Sequence, residues 1–468
     1  MTTYVSTRGQ AAERGFEAVL LAGLAEDGGL FVPRDWPRFG PDELRSWRGL
    51  PYAETATRLL LPFVEGCFGR DELRSLCEDA YGTGFGHAAT APLKQLGPDD
   101  WLLELFHGPT LAFKDFAMRL LARMFDRVLA RRGERVTIVG ATSGDTGAAA
   151  VRAFAGMGSL RVAMLHPHGR VSDVQRLQMT TETAPNILNI AVEGTFDDCQ
   201  DLVKAMFADA AFRGEMALSA VNSINWARVA AQAAYYVHAA LRLGAPDRAV
   251  AFCVPTGNFG NVYAGWAARR MGLPIARLVV ATNSNDILAR FFASGTYARG
   301  TVVPTISPSM DIQVASNFER LLFEMEGGDG ARVAGLLDVF RRTGSLAPAL
   351  HALEPLRAVV GGGSSDEPAT LAAIRRTLET TGELVDPHTA VGLHVAARHR
   401  PPAGVPMVTL STAHPAKFPD AVREACGIEP RLPPAFADLH GRPERYAVLP
   451  NDLPAVQAHI RQELRRAA

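Results

Sequence analysis

The sequence predicts an α/β protein in which a mostly parallel sheet is covered by helices on both faces and preceded by an α-rich N-terminal unit. Three features lead there. From about residue 98 onward, short apolar runs alternate with helix-patterned segments, the signature of strands buried on both faces and their crossover helices. Residues 1 to about 90 show helical spacing without that alternation. The composition, 47% hydrophobic and 21% charged over 468 residues, is that of a globular chain long enough for two or three folding units.

In the N-terminal part, 18–24, 44–61 and 71–80 carry helical patterns, and 26–33 turns the chain. Strand 135–140 then leads through loop 141–147 into helix 148–155. Strand 160–165, helix 171–180, strand 186–192 and helix 196–209 follow, then strand 217–221 and the long helix 229–243. Strands 249–254 and 278–281 continue the pattern before it weakens into helical segments reaching 342. The glycine-rich stretch 361–368 reads as a turn or short connection, 407–410 as a last strand, and the tail from 430 as Pro-rich and then helical.

Lys and Arg (48) nearly balance Asp and Glu (49), so a net charge of -1 supplies no field for nucleic acid or an anionic membrane. Residues 1–9 lack the apolar core of a signal peptide, and no segment approaches a membrane span. Five scattered cysteines (Cys67, Cys77, Cys199, Cys253 and Cys426) suggest reduced thiols in a cytoplasm, with neither a disulfide frame nor zinc spacing. No metal site is expected.

Lys114 is the residue that points to chemistry. It follows an apolar run and precedes a segment, 118–132, with Leu120, Leu121, Met124, Val128 and Leu129 at helical spacing and Gly133 as a stop. An ammonium in a first helical turn meets the positive end of the helix dipole and partial burial, and both lower its proton affinity. Such a lysine suits Schiff-base chemistry with a carbonyl cofactor, although a solvated lysine at a helix start has the same local pattern.

Four loops sit where an open parallel sheet binds ligands, at strand ends leading into helix starts. Thr142, Ser143, Gly144, Asp145 and Thr146 can hold a carboxylate or phosphate, or simply cap a helix. Gly257, Asn258, Phe259, Gly260 and Asn261 directly follow a strand and let amides approach an anion. The loop from Asn222 through Ser223 and Asn225 to Arg228 sets polar groups before an arginine suited to bidentate phosphate contact. The loop 411–418 places hydroxyls, among them Thr412, at the end of a buried strand. Together these suit a phosphate-bearing carbonyl cofactor and a phosphate-bearing substrate. A nicotinamide site is disfavoured: the stretch from Gly140 to Gly144 lacks the full glycine fingerprint, and the next strand ends Leu165, His166, Pro167 with no acid.

In these loops and their surroundings the chain resembles the threonine synthase family, pyridoxal-phosphate enzymes of the tryptophan-synthase-β-like fold. The resemblance rests on 6–9, 27–33, 106–115, 140–147, 222–225, 257–261, 307–313 and 412–418, and covers essentially the whole chain. It implies two open twisted, mostly parallel sheets flanked by helices. It also implies an N-terminal domain at 1–90, a catalytic region at 91–425 with a smaller subdomain inserted at about 115–230, and an extension at 426–468. Carried over by position, Lys114 is the Schiff-base lysine of pyridoxal 5'-phosphate. Gly257, Asn258, Phe259, Gly260 and Asn261 hold the cofactor phosphate, and Thr412 meets the pyridine nitrogen. Asp145 stands where the wider fold family has Asn beside the 3′-oxygen. Thr142, Ser143 and Thr146 take the substrate carboxylate, while Ser223, Asn225 and Arg228 face its phosphate. The implied reaction is O-phospho-L-homoserine plus water giving L-threonine and phosphate, in a cytoplasmic monomer or homodimer. A related phospho-lyase releasing 2-oxobutyrate would share these motifs.

Overall fold

The computed structural model describes residues 2–82, 84–220 and 223–466. Its contacts divide into two units, one of residues 1–107 and 223–430 and the other of 108–222 and 431–468.

The first unit is built on six strands in the order Val360–Ser364, Ile275–Thr282, Val250–Pro255, Met407–Ser411, Asp100–Glu104, Leu93–Gln95, all parallel to their neighbours except the last. Side chains alternate across this sheet. Ala251, Cys253, Val279 and Ala281 face Val391 and Val395 of helix Pro387–Arg398. On the opposite face Phe252 meets Tyr236 of helix Trp226–Arg242. Helix Gly260–Arg270 is squeezed into the same layer, because a Cβ at Gly265 would lie 2.9 Å from Tyr236 and 3.0 Å from Leu278. The N-terminal residues add helices Tyr52–Val64 and Arg70–Tyr81 and a two-stranded ladder, Tyr4–Ser6 with Phe31–Pro33. The 6–9 motif is architectural: Ser6 donates to Asp27, while Thr7 and Arg8 both bind the Glu319 carboxylate.

The second unit has five parallel strands, ordered Ala447–Pro450, Ile187–Glu193, Leu160–Pro167, Val136–Ala141, Leu218–Ser219. Val139, Ala163, Leu165, Ile190 and Val192 form a core with Cys199, Leu202 and Met206 of helix Phe196–Ala208 and with Val456, Ile460 and Leu464 of helix Leu453–Arg466. Helices Lys114–Arg132, Asp145–Phe154 and Asp173–Thr180 pack in succession.

Residues 1–90 cluster with the first unit, and 431–468 add an edge strand and a helix to the second. Two element expectations differ from this arrangement. The stretch 361–368 begins in an edge strand of the six-stranded sheet. Its glycines are there because neighbours press close: a Cβ at Gly363 would lie 2.9 Å from both His399 and Val395. Of the expected strand 217–221, Leu218–Ser219 is present, and Val221 lies outside the described residues, as does Asn222 of the following loop. Among the described residues no helix is long and apolar enough to cross a membrane.

Candidate active site

Lys114 opens helix Lys114–Arg132, which ends on Gly133 in the left-handed region (φ 64°). The turn before it is set by Asp115, whose carboxylate accepts from both the amide and the hydroxyl of Thr110 at 2.8 Å. Gly108 allows that fold-back, since a Cβ there would sit 2.4 Å from Asp115 Oδ2. Within this tight turn Leu111 takes φ 57°, a conformation costly for a branched side chain and held here by complete burial. The Lys114 side chain is 14% exposed, and its Nζ lies 3.4 Å from Asp145 Oδ2.

Asp145 is the first residue of helix Asp145–Phe154, where the helix dipole favours a negative charge. In the loop leading to it, Thr142 Oγ1 accepts from the amides of Gly144 at 3.0 Å and Gly147 at 2.9 Å. That hydroxyl braces the loop from within. Ser143 is exposed and Thr146 half-buried, and neither hydroxyl nor amide is engaged by any described residue. Those two residues therefore present two hydroxyls and two amides at a helix start, a carboxylate-sized anion seat.

In the first unit, loop 257–261 follows strand Val250–Pro255 and opens helix Gly260–Arg270. Phe259 adopts φ 63°, pinned by burial against Phe292 and Phe318. That conformation turns the loop so that none of the amides of Gly257, Asn258, Phe259, Gly260 and Asn261 donates to another described residue. Asn261 Oδ1 accepts from Tyr235 at 2.6 Å and from Tyr236 at 2.9 Å, so its Nδ2 is the end left over, buried and unpartnered. Neither glycine tolerates a side chain: a Cβ at Gly257 would meet the Ser309 carbonyl at 2.9 Å, and one at Gly260 the Asn317 amide at 3.0 Å. Free amides, a helix start and an orphaned buried donor together fit a phosphate.

Thr412 lies just past strand Met407–Ser411, which pairs with Val250–Pro255, so it shares the carboxyl edge of the sheet with the 257–261 loop. It is 5% exposed and its hydroxyl has no partner among the described residues. Arg228 stands in the first turn of helix Trp226–Arg242 and is 3% exposed, with Nε and Nη1 unpartnered. Burial alone lowers its proton affinity, to a pKa of about 10. A guanidinium so placed has no counter-charge among the described residues, and an anionic ligand would supply one. Asn225 stands at the N-terminal cap of the same helix. Its Oδ1 caps Ala227 N at 3.0 Å, its Nδ2 donates to the Leu20 carbonyl at 2.8 Å, and the residue is 1% exposed. Ser223 is half-buried, and its carbonyl accepts from Asn317 Nδ2.

Two groups that sequence reasoning passed over adjoin these residues. Gln175 donates to Asp145 Oδ1 at 2.8 Å. Asp386 and His388 reach the backbone that packs on Gly257. The signal for Gln175 was a polar residue on the inward stripe of a short helix, which is visible only once the neighbouring loop is known.

Residues 3–81 match the family profile "Threonine synthase N terminus", 87–347 "Pyridoxal-phosphate dependent enzyme" and 389–460 "Threonine synthase, C-terminal". A threonine synthase of Pseudomonas aeruginosa is 54% identical over 460 residues, covering 98% of each chain. The crystal structure of pyridoxal-phosphate-bound threonine synthase from Brucella melitensis superposes with a TM-score of 0.97 at 52% identity, covering 99% of both chains. That of the yeast enzyme gives 0.94 at 35% identity, again over 99% of both.

Proposed function

Because this chain belongs to the threonine synthase family, we propose that it converts O-phospho-L-homoserine and water to L-threonine and phosphate with pyridoxal 5'-phosphate. Lys114 is the residue that holds the cofactor, and loop 257–261, with Asn261 Nδ2, receives its phosphate. When bound, the cofactor draws electrons from the substrate carbons as they lose protons. Thr412 offers the pyridine nitrogen an uncharged hydroxyl, which does not hold a proton there and so favours elimination and replacement over transamination.

The other steps belong to side chains of this protein. Ser143 and Thr146 seat the substrate carboxylate at the start of helix Asp145–Phe154. Arg228, aided by Ser223, meets the substrate phosphate, while Asn225 fixes the helix start from which Arg228 projects. Lys114 takes a proton at one substrate carbon and returns it at another, with Asp145 as the carboxylate beside its amine. We place this activity in the cytoplasm, in a monomer or homodimer.

The observation that carries the phosphorylated substrate is Arg228, a buried cation with two unpartnered nitrogens and no counter-ion among the described residues. The test is an incubation of the purified protein with O-phospho-L-homoserine. One threonine released per phosphate is expected; 2-oxobutyrate in place of threonine would make it a phospho-lyase and overturn the reading.

A further inference from the structure

Gln175 lies in the first turn of helix Asp173–Thr180 and is 5% exposed. Its side chain spans two partners. Nε2 donates to Asp145 Oδ1 at 2.8 Å, and Oε1 accepts from Ser172 Oγ at 2.9 Å. The amide orientation follows from chemistry: reversed, it would point a carbonyl oxygen at a carboxylate oxygen. Oδ1 of Asp145 is thereby committed as an acceptor, and Oδ2 is the oxygen 3.4 Å from Lys114 Nζ. Gly144 makes the contact possible, for a Cβ there would fall 2.5 Å from Gln175 Cδ, and its φ of 151° is one that few side chains adopt.

We propose that Gln175 is a positioning residue for the proposed reaction: its amide holds the Asp145 carboxylate ionised and turned so that one oxygen faces the Lys114 amine. The assignment rests on Lys114 being the cofactor lysine. A donor on Oδ1 stabilises the charged form and fixes the rotamer, so the amine meets a carboxylate of set direction whenever it gains or loses a proton. Three charged groups on the helices packed around this point have partners of their own. Asp115 binds Thr110, Arg152 pairs with Glu182, and Arg176 pairs with Glu444 and Asp173.

The test is the isosteric variant Gln175→Glu. Two carboxylates at this distance in a buried site share one proton, and the protonated glutamic acid then imitates the amide donor. When that proton leaves, the donor is lost and the two charges repel. The Gln175→Glu holoenzyme is therefore expected to keep activity on the acid side of the wild-type plateau and to lose at least ~10-fold in kcat/KM toward the alkaline side. The pH titration of the bound cofactor's visible absorbance should shift in parallel. Gln175→Met, which donates at no pH, is expected to lower kcat/KM ~10-fold or more at every pH with no new limb. A purely structural glutamine would create no new ionisation. Wild-type pH profiles for both activity and absorbance in either variant would overturn the proposal. A wild-type protein with no cofactor absorbance would instead overturn the assignment of Lys114 on which it rests.

Discussion

The imidazole of His388 links the Asp386 carboxylate to the backbone beside loop 257–261: Nδ1 lies 2.7 Å from Asp386 Oδ2, and Nε2 accepts from Ser309 N at 3.3 Å. An amide can only donate, so Nε2 carries the lone pair and Nδ1 the proton. Asp386 also caps helix Pro387–Arg398 and accepts from the Thr389 hydroxyl, which in turn lies 3.1 Å from Ser411 Oγ, next to Thr412. Thr389 gives its one hydrogen to Asp386, so Ser411 must donate to Thr389. Replacing His388 by Leu leaves a fully buried carboxylate short of one donor and the Ser309 amide without an acceptor, at a cost of ~2–4 kcal/mol. Urea unfolding should show that loss, and titration of the apoprotein should show weaker cofactor binding.

Asn261→Asp separates holding the fold from holding the ligand. The new carboxylate can still accept from Tyr235 and Tyr236, but it replaces the free Nδ2 donor with negative charge. Stability of the apoprotein should change by less than ~1 kcal/mol, while cofactor affinity falls ~100-fold or more. Equal cofactor affinity in variant and wild type would remove Asn261 from the phosphate seat.

Arg228→Met carries an unusual pair of expectations. Removing a buried cation without a counter-charge should stabilise the apoprotein by ~1–3 kcal/mol. The same change should raise KM for O-phospho-L-homoserine at least ~100-fold with the cofactor still bound. A destabilised variant with unchanged KM would make Arg228 a structural residue.

Buried His166 and His238 and the half-buried His414 contribute to the acid limb of stability. Burial, the largest influence on each, pushes His166, His238 and His414 down to about 4. Their folded forms are neutral where an unfolded histidine, near 6.5, already binds a proton, so stability declines as pH falls from about 6.5 to about 4. His238, packed on Tyr52 at 5.2 Å, can be replaced by Phe. The variant should lose ~1–3 kcal/mol less than wild type between pH 7 and pH 4.5 in urea titrations.

Much of the second unit could be read from periodicity, because its strands and helices bury their side chains in regular stripes. The helix after Lys114 is the clearest case, with its apolar spacing and its Gly133 stop. The Val360–Ser364 strand escaped that reading because glycine carries no side-chain pattern; its glycines answer to close neighbours such as His399. Ala447–Pro450 escaped because its partner, Ile187–Glu193, is remote in sequence and four residues, alternately half-buried and exposed, leave little trace. At the site, residue types were legible but their duties were not. Thr142 and Asn225 make capping bonds in the structure, and the same residue types are as well suited to hold a ligand, so sequence alone does not separate the two.

The assignment of Lys114 is tested most directly by reducing the holoprotein with borohydride and mapping the modified lysine by peptide mass spectrometry. The cofactor remnant is expected on Lys114 alone, with the visible absorbance lost in step. A remnant on another lysine, or none on any, would contradict the account.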